Sequence, residues 1–330
     1  MVGSYHIIIQ NSIVKYEFDI KRNITIIKGD SATGKTVLVD MIRDYVSNGS
    51  DSGVSLSCPT ACRVIEGNTW EDQLATISNS IVFIDEGNSF VSSEHFAGHV
   101  KEGQNYYVLV TRENLKNLPY SITEIYGIKS SGKYNDLEPV YHETYRIYEE
   151  KLFDLTIGAM ISPDIVITED SNSGYDFFQA VSEDNNGSFE CISAGGKSNI
   201  FNLISDAQKQ SILIIADGAA FGAEIEKICS LMQSNCHLHL YLPESFEWLL
   251  LTSDIIKDLP NEQINHPEKY ADSCLFFSWE RFFTSVITRY THGTPMEYSK
   301  TRLNLYYKHP TIITRILNHI KGINFHSEEE

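Results

Sequence analysis

Short apolar runs that alternate with helical patterns constrain this 330-residue chain more than any other sequence feature. Four runs rich in β-branched residues lie at 5–10, 24–28, 80–84 and 106–110, and turn-like residues separate the first two. A helical pattern follows the second run from Thr36 onward. Strands that alternate with helices predict an α/β fold with a mostly parallel sheet and helices on both faces.

A second alternating series follows a polar stretch at residues 130–150, which we interpret as a domain boundary. The sequence thus predicts a first domain at 1–140, a smaller α/β domain at 155–260 and a helical tail at 261–330. In the second domain the patterns predict strands at 164–168, 211–216 and 237–242, and helices at 175–183, 198–206 and 219–233.

The charge of the chain is negative and unevenly distributed. Its 26 Lys and Arg against 44 Asp and Glu give a net charge of −18, which excludes a uniformly basic nucleic-acid binder. Residues 281–322 nevertheless hold seven Lys or Arg and one acid among many aromatic residues. This stretch could bind DNA or RNA, form a helical cap with a solvated basic face, or pair with an acidic surface of another copy.

Cysteine usage and hydropathy predict a cytoplasmic protein without a membrane segment. The six cysteines are scattered, which is typical of reduced thiols rather than of a disulfide framework. No apolar run approaches the length of about 20 residues that spans a bilayer, and no basic stretch precedes the first apolar segment.

The most specific motif is the octapeptide between the second predicted strand and the helix that follows. It fits G-x-x-x-x-G-K-[ST] at every fixed position. Glycines allow backbone N–H groups to face phosphates, Lys35 supplies a positive charge to the β and γ phosphates, and Thr36 offers a hydroxyl to Mg²⁺. A purely structural turn is the alternative. The predicted nucleotide-binding residues are Gly29, Asp30, Ser31, Ala32, Thr33, Gly34, Lys35 and Thr36.

Two acids follow the apolar run at residues 80–84. Asp85 is expected to hold Mg²⁺ through its water shell, and Glu86 to polarise the attacking water as the catalytic residue. A solvated turn is the alternative interpretation of such a pair.

These motifs resemble the P-loop NTPases over about residues 1–130, with GDSATGKT as Walker A and IVFIDEG as Walker B. Thr111 stands where additional-strand ATPases of this class carry a polar γ-phosphate sensor, and Arg112 beside it could act similarly; surface polarity accounts for both equally well. No LSGGQ-like stretch precedes Walker B and no NKxD-like guanine reader is visible. The resemblance therefore implies ATP and Mg²⁺ as ligands, without an ABC-type dimer clamp.

Three acids follow or lie near the ends of predicted strands in the second domain. Glu169, Asp217 and Glu244 could converge on a divalent metal, because open α/β sheets bind ligands at this edge. The alternative is that these strands end in ordinary polar turns.

The order IVITEDSNSGYDFF, SAGGKSNIFNLI and ILIIADGAAFGAEI resembles the Toprim domain of topoisomerases, primases and the overcoming-lysogenisation-defect nucleases. The resemblance implies that Glu169 and Asp217 are metal ligands. The second acid of the family's Asp-x-Asp pair is missing, because Ala219 stands there. Since two-metal phosphodiester hydrolysis requires enough carboxylates for both cations, this domain is expected to bind one metal weakly or to serve only for contacts.

The sequence therefore predicts an Mg²⁺-dependent ATPase fused to a Toprim-like domain and a basic helical tail. The family resemblance implies action on DNA or RNA, including defence against mobile elements. The alternative is an ATP-dependent switch or scaffold whose inactive C-terminal half binds a partner protein; Ala219 and the charge of −18 favour it.

Overall fold

The structure is a computed structural model in which the chain divides into two compact units. The first unit contains residues 1–141 and 266–278, and the second contains the rest. Residues 266–278 thus belong to the first unit, although they fall in the predicted tail. The structure describes residues 1–29, 33–141, 160–206, 210–235 and 237–326.

The predicted domain boundary lies only in part within the described residues. Its second half, and the predicted start of the second domain at residue 155, fall in the range 142–159, which is outside them.

Nine strands of the first unit form one sheet. In chain order they are β1 (Tyr5–Gln10), β2 (Lys15–Ile20), β3 (Ile24–Ile27), β4 (Ser55–Ser57), β5 (Ala61–Val64), β6 (Ser80–Ile84), β7 (Tyr106–Val110), β8 (Ile125–Ser131) and β9 (Tyr134–Pro139). Their spatial order is β4-β1-β2-β9-β8-β3-β7-β6-β5. The five strands from β8 to β5 run parallel, whereas β1 is antiparallel to β2 and β4, and β8 is antiparallel to β9.

The parallel strands in the centre of this sheet are buried along their whole length and are mostly apolar. Every residue of β3, β6 and β7 is buried, which is typical of interior strands of a parallel sheet. The helices of the first unit are α1 (Lys35–Asn48), α2 (Trp70–Ala75) and α3 (Glu94–Glu102). Helix α1 buries Leu38, Val39 and Ile42 in the same apolar core as β3 and β6.

Several segments of this sheet differ from the sequence prediction, and two of them share one physical reason. The residues interpreted as turn-like between the first two runs include β2, in which Tyr16, Phe18 and Ile20 alternate inward with polar residues outward. The polar stretch interpreted as a boundary begins within the β8–β9 hairpin. In both cases one face of the strand is solvated, so apolar and polar residues alternate along it. We had recognised strands by continuous apolar runs, which these segments lack.

The second unit contains a four-stranded parallel sheet in the order β11-β10-β12-β13. Its strands are β10 (Ile165–Thr168), β11 (Glu190–Ser193), β12 (Ile212–Ile215) and β13 (Leu238–Tyr241). Its helices are α4 (Ser173–Asp184), α5 (Ile200–Asp206), α6 (Ile225–Ser234), α7 (Phe246–Thr252), α8 (Asn261–Asn265), α9 (Trp279–Thr291) and α10 (Pro310–Leu317). The predicted α/β class is confirmed for both units.

The helix predicted at 219–233 begins only at Ile225, and a 3-10 turn occupies 218–220. The cause is a close backbone contact, because the Gly218 amide donates to the Pro243 carbonyl at 2.7 Å. A Cβ atom at Gly218 would lie 2.9 Å from that oxygen. This contact fixes the backbone next to Asp217 against the chain that follows β13.

Candidate functional site

The glycine-rich loop leads from the buried strand β3 to the first residue of α1. Gly34 precedes the helix with φ 92°, a left-handed conformation, and a Cβ atom there would lie 2.7 Å from Tyr16 Oη. Tyr16 Oη donates a hydrogen bond of 2.8 Å to the Gly34 carbonyl. The position therefore requires glycine. Of the predicted nucleotide-binding residues, Asp30, Ser31 and Ala32 lie outside the described residues.

Lys35 is the buried cation of this loop. Its Nζ donates to the Gly29 carbonyl at 2.6 Å and to Thr33 Oγ1 at 3.2 Å. Thr36, the next residue, is exposed. The first turn of α1 carries no acidic side chain, so nothing there offsets the partial positive charge of the helix N-terminus. The loop and the helix start thus present a cation and amide groups together, the chemistry that phosphate requires.

Strand register aligns the other predicted residues with this loop. Ile27 of β3 pairs with Val110 of β7, and Leu109 of β7 pairs with Ile84 of β6. These parallel strands therefore end within one residue of a common level, at what we call the carboxyl edge of the sheet. Asp85 and Thr111 directly follow β6 and β7 at this edge.

The carboxylate of Asp85 has an unused acceptor. Its Oδ1 is buried and accepts no hydrogen bond in the structure. An oxygen of this kind, with the exposed Thr36 hydroxyl, belongs to the donor class that Mg²⁺ prefers. The residues present therefore fit a Mg²⁺-bound triphosphate.

Glu86 and Thr111 have partners of their own. Glu86 Oε1 lies 2.7 Å from Arg112 Nε, and both side chains are partly exposed. Thr111 is buried, its amide donates to the Ile27 carbonyl, and its Oγ1 accepts from the Glu113 amide at 3.0 Å. Arg112 thus holds the predicted catalytic carboxylate at the edge of the sheet.

Two predicted metal ligands of the second unit meet at the carboxyl edge of its sheet. Glu169 follows β10, and Asp217 follows the adjacent strand β12 after one residue. The Asp217 amide donates to Glu169 Oε2 at 3.3 Å, and Asp217 Oδ1 accepts from the Phe246 amide at 3.0 Å. Lys197 Nζ lies 3.8 Å from Glu169 Oε1.

Glu247, rather than the predicted Glu244, lines the cavity beside these two acids. The cavity has a volume of about 30 Å³, enough for a water molecule or an ion. Glu247 lies in the first turn of α7, where Ser245 caps the helix by accepting from the Trp248 amide at 3.1 Å. The Ser-Phe-Glu order was the local signal for this residue, because acids favour the first turn of a helix.

Contacts between distant segments complete the cluster. Glu247 Oε1 accepts from Tyr298 Oη at 2.8 Å, and Tyr298 Oη lies 2.6 Å from Ser173 Oγ. Lys300 Nζ lies 3.6 Å from Glu247 Oε1 and donates to Glu280. No local pattern predicts these contacts, because they join α4, α7, α9 and the chain after α9.

Two acids of this cluster, Glu169 and Asp217, have a raised pKa. Burial raises the pKa of Asp217 well above its usual value, and Glu280 and Glu247 add to the effect. Burial also raises the pKa of Glu169, although Lys197 acts in the opposite direction. Burial alone would lower the pKa of Lys300, but Glu247 and Glu280 raise it above its usual value.

A cation would be accommodated here only after some rearrangement. Glu247 Oε2 is buried without a hydrogen-bond partner, which fits a cation ligand. Among the described residues, however, Glu169, Asp217 and Glu247 do not bring three ligand atoms within 4.8 Å of one another. The Ala219 side chain, where the family pattern has its second acid, is buried.

Some basic side chains of the C-terminal stretch form ion pairs within the second unit. Lys300 pairs with Glu247 and Glu280, and Lys308 Nζ lies 3.4 Å from Asp176 Oδ1. Several of its aromatic side chains belong to the core: Phe282, Phe283, Tyr298 and Tyr307 are buried. Arg281 and Arg289 line an open groove along α9, where Arg289 also donates to Gln263 Oε1 at 3.0 Å.

The chain matches no protein-family model, and no curated protein matches it. None of the helices in the described ranges has both the length and the apolar character needed to cross a lipid bilayer.

Proposed function

We propose that the chain binds ATP with Mg²⁺ at the carboxyl edge of the first unit's sheet and hydrolyses it. The observation that carries the proposal is the order of three strands. The complete octapeptide follows β3, Asp85 and Glu86 follow β6, and β7 lies between β3 and β6. A strand in this position is the additional strand after which the ATPase group is named, so the order agrees with the resemblance in the sequence.

Each residue has a role in this proposal. Lys35 leaves its loop acceptors to bind the β and γ phosphates, and the helix start of α1 adds N–H groups. Thr36 and Asp85 would hold Mg²⁺, which neutralises charge on the phosphates when it is bound. Glu86 accepts a proton from the attacking water, while Arg112 orients its carboxylate. Thr111 offers a hydroxyl near the γ phosphate.

Calorimetric titration of the full chain with ATP and Mg²⁺ tests the proposal. We expect Lys35→Ala to weaken binding about 10- to 100-fold, because hydrogen bonds to a charged group contribute about 1.5–3 kcal/mol. Lys116→Ala, at an exposed position of the same unit, is the matched control and should bind as the unaltered protein does. Equal affinity of the Lys35→Ala protein would refute the assignment.

For the second unit, the proposal is a Toprim-like domain that holds one divalent cation and acts on or binds nucleic acid. Glu169 and Asp217, adjacent on parallel strands, support it, and Glu247 supplies a carboxylate that the family pattern lacks at Ala219. Arg281 and Arg289 would contact the phosphates.

The second candidate is an ATP-dependent switch whose C-terminal half binds a partner protein. It is favoured by Lys300, which already supplies a positive charge to Glu247 and Glu280. Labelled DNA and RNA, incubated with the protein and Mn²⁺ with and without ATP, separate the two. Cleavage that Glu169→Ala abolishes would support the nuclease, and salt-sensitive binding without cleavage a nucleic-acid binder. If the protein neither cleaves nor binds the nucleic acids, the switch is the function that the result supports.

A further inference from the structure

One cluster of metal-binding side chains lies apart from both proposed sites. Glu71 on α2 and His95 and His99 on α3 each offer one ligand atom, and these three atoms lie within 4.8 Å of one another. His95 and His99 are four residues apart, so one turn of α3 brings their imidazoles to the same face. No other group of three such ligands this close occurs within the described parts of the chain.

The packing of Trp70 holds the two imidazoles in place. The buried indole stacks on Phe90 at a centroid distance of 4.9 Å. Both imidazoles meet the indole edge-on, His95 at 5.6 Å and His99 at 5.2 Å. The two imidazole centroids are 5.0 Å apart, and the ring planes are inclined by 57°. The histidines are therefore oriented by a rigid aromatic neighbour.

The carboxylate reaches the histidines from the adjacent helix. Glu71 directly follows Trp70, and its Oε1 lies 3.4 Å from His95 Nδ1. The side chains of Glu71 and His95 are about half exposed, so small rotations of either side chain do not disturb the core. Tetrahedral zinc with ligand distances near 2 Å separates its ligand atoms by about 3.3 Å, and we expect small rotations of these two side chains to reach that spacing.

We infer that Glu71, His95 and His99 form a Zn²⁺ site, with water in the fourth position. Two imidazoles and one carboxylate are a donor set that suits zinc, whereas the oxygen-only acids of the proposed ATP and Toprim-like sites suit Mg²⁺. The site joins α2 to α3. Because α3 begins eight residues after Glu86, bound zinc would anchor the segment that follows the proposed catalytic carboxylate.

Calorimetric titration of the full chain with Zn²⁺, carried out in the presence of excess Mg²⁺, tests the inference. Mg²⁺ competes for oxygen-only sites, so the remaining heat reports sites that contain histidine nitrogen or the sulfur of the free cysteines, and the ligand variants distinguish these two classes. We expect one equivalent of Zn²⁺ to bind in the micromolar range or tighter. His99→Ala and Glu71→Gln should each weaken binding at least tenfold, and circular dichroism verifies that each variant is folded. Glu71→Gln removes no aromatic contact, so it tests the ligand even where His99→Ala perturbs packing.

His6→Ala is the matched control. His6 also contacts two carboxylates, with Nδ1 2.9 Å from Asp19 and Nε2 3.3 Å from Glu17, but it has no second imidazole. Its variant should bind Zn²⁺ like the unaltered protein. Co²⁺ should produce the intense visible absorption of a tetrahedral site and quench Trp70, and a Trp70→Phe variant identifies that part of the fluorescence. No Zn²⁺ binding at 100-fold molar excess, or binding unchanged in both ligand variants, would overturn the inference.

Discussion

At the carboxyl edge of the first unit's sheet, Lys35 is buried among a backbone carbonyl and a threonine hydroxyl. At the same edge of the second unit's sheet, Lys300 approaches Glu247 and Glu280, and Glu169 and Asp217 line the adjoining cavity. The two regions share a position in an α/β sheet, but they differ in the groups that surround the lysine. A lysine beside a helix start and neutral oxygen acceptors favours an anionic ligand, whereas several carboxylates close together favour protons or a cation.

The difference shows that the position of a site within a sheet does not determine its ligand. Parallel strands bring loop residues together at one edge in both units. What binds there depends on the side chains that those loops and the neighbouring helices supply. In the second unit, most of those side chains come from α7, α9 and the chain that follows α9.

Replacing the proposed base of the first region should give the largest effect. We expect Glu86→Gln to lower kcat for ATP hydrolysis about 10²- to 10⁴-fold, because a general base contributes that much to catalysis. ATP affinity should change less than threefold, since Glu86 is not assigned to phosphate binding. Glu113→Gln, at an exposed acid in the same unit, is the control for surface charge. Hydrolysis that persists in Glu86→Gln would remove the catalytic assignment and leave nucleotide binding standing.

Removing the lysine of the second region should have a smaller effect, a measurable decrease in stability. Lys300→Met leaves the buried carboxylate of Glu247 without its cation, and we expect the unfolding free energy of the second unit to fall by about 2–3 kcal/mol. Lys308→Met is the comparison, because Lys308 and Asp176 form a partly exposed pair worth about 1 kcal/mol or less.

Urea denaturation in a Trp70→Phe background measures this difference, since Trp248 and Trp279 then report the second unit. Similar decreases in unfolding free energy for the two lysine variants would mean that Lys300 stabilises its carboxylates no more than a surface ion pair does. The contrast between the two regions would then lose its energetic basis.

The sequence predicted the parts of the fold that depend on continuous apolar runs. Strands β6 and β7 were predicted with their observed bounds, because all of their residues are buried and all except Ser80 are apolar or aromatic. Strand β2 was missed, since its inward residues alternate with Lys15, Glu17 and Asp19. Strand β5 was missed as well, because a four-residue segment containing Arg63 has no distinctive period.

The two candidate regions differ in how far apart their residues lie in the sequence, and this determines how well each could be predicted. The phosphate loop is one continuous octapeptide, so its residues and spacing can be recognised together. The second cluster contains Ser173, Glu247, Glu280, Tyr298 and Lys300. Its first and last members are more than 120 residues apart in the chain. Only strand-end acids such as Glu169 and Asp217 are visible locally. The remaining contacts arise from tertiary packing.

The smallest expected effect is a pH dependence that belongs to the second region alone. Burial raises the pKa of Asp217, so the folded state holds this proton more tightly than the unfolded state does. The resulting stabilisation is complete below the unfolded value of about 4 and is lost as pH rises toward the raised folded value. We expect the stability of the second unit to fall over this range by at most about 1.4 kcal/mol per pH unit for this one group.

Asp217→Asn removes the titrating group and retains the acceptor for the Phe246 amide, so its stability should depend less on pH. Tryptophan fluorescence during urea denaturation at several pH values above 4 gives the slope. Mn²⁺ added near pH 8 extends the test: a cation bound to the ionised carboxylates should restore stability to the unaltered protein and not to Asp217→Asn. Equal slopes in the two proteins would show that the Asp217 carboxylate is already ionised without cost. The acidic cluster would then give no reason to propose a cation site there.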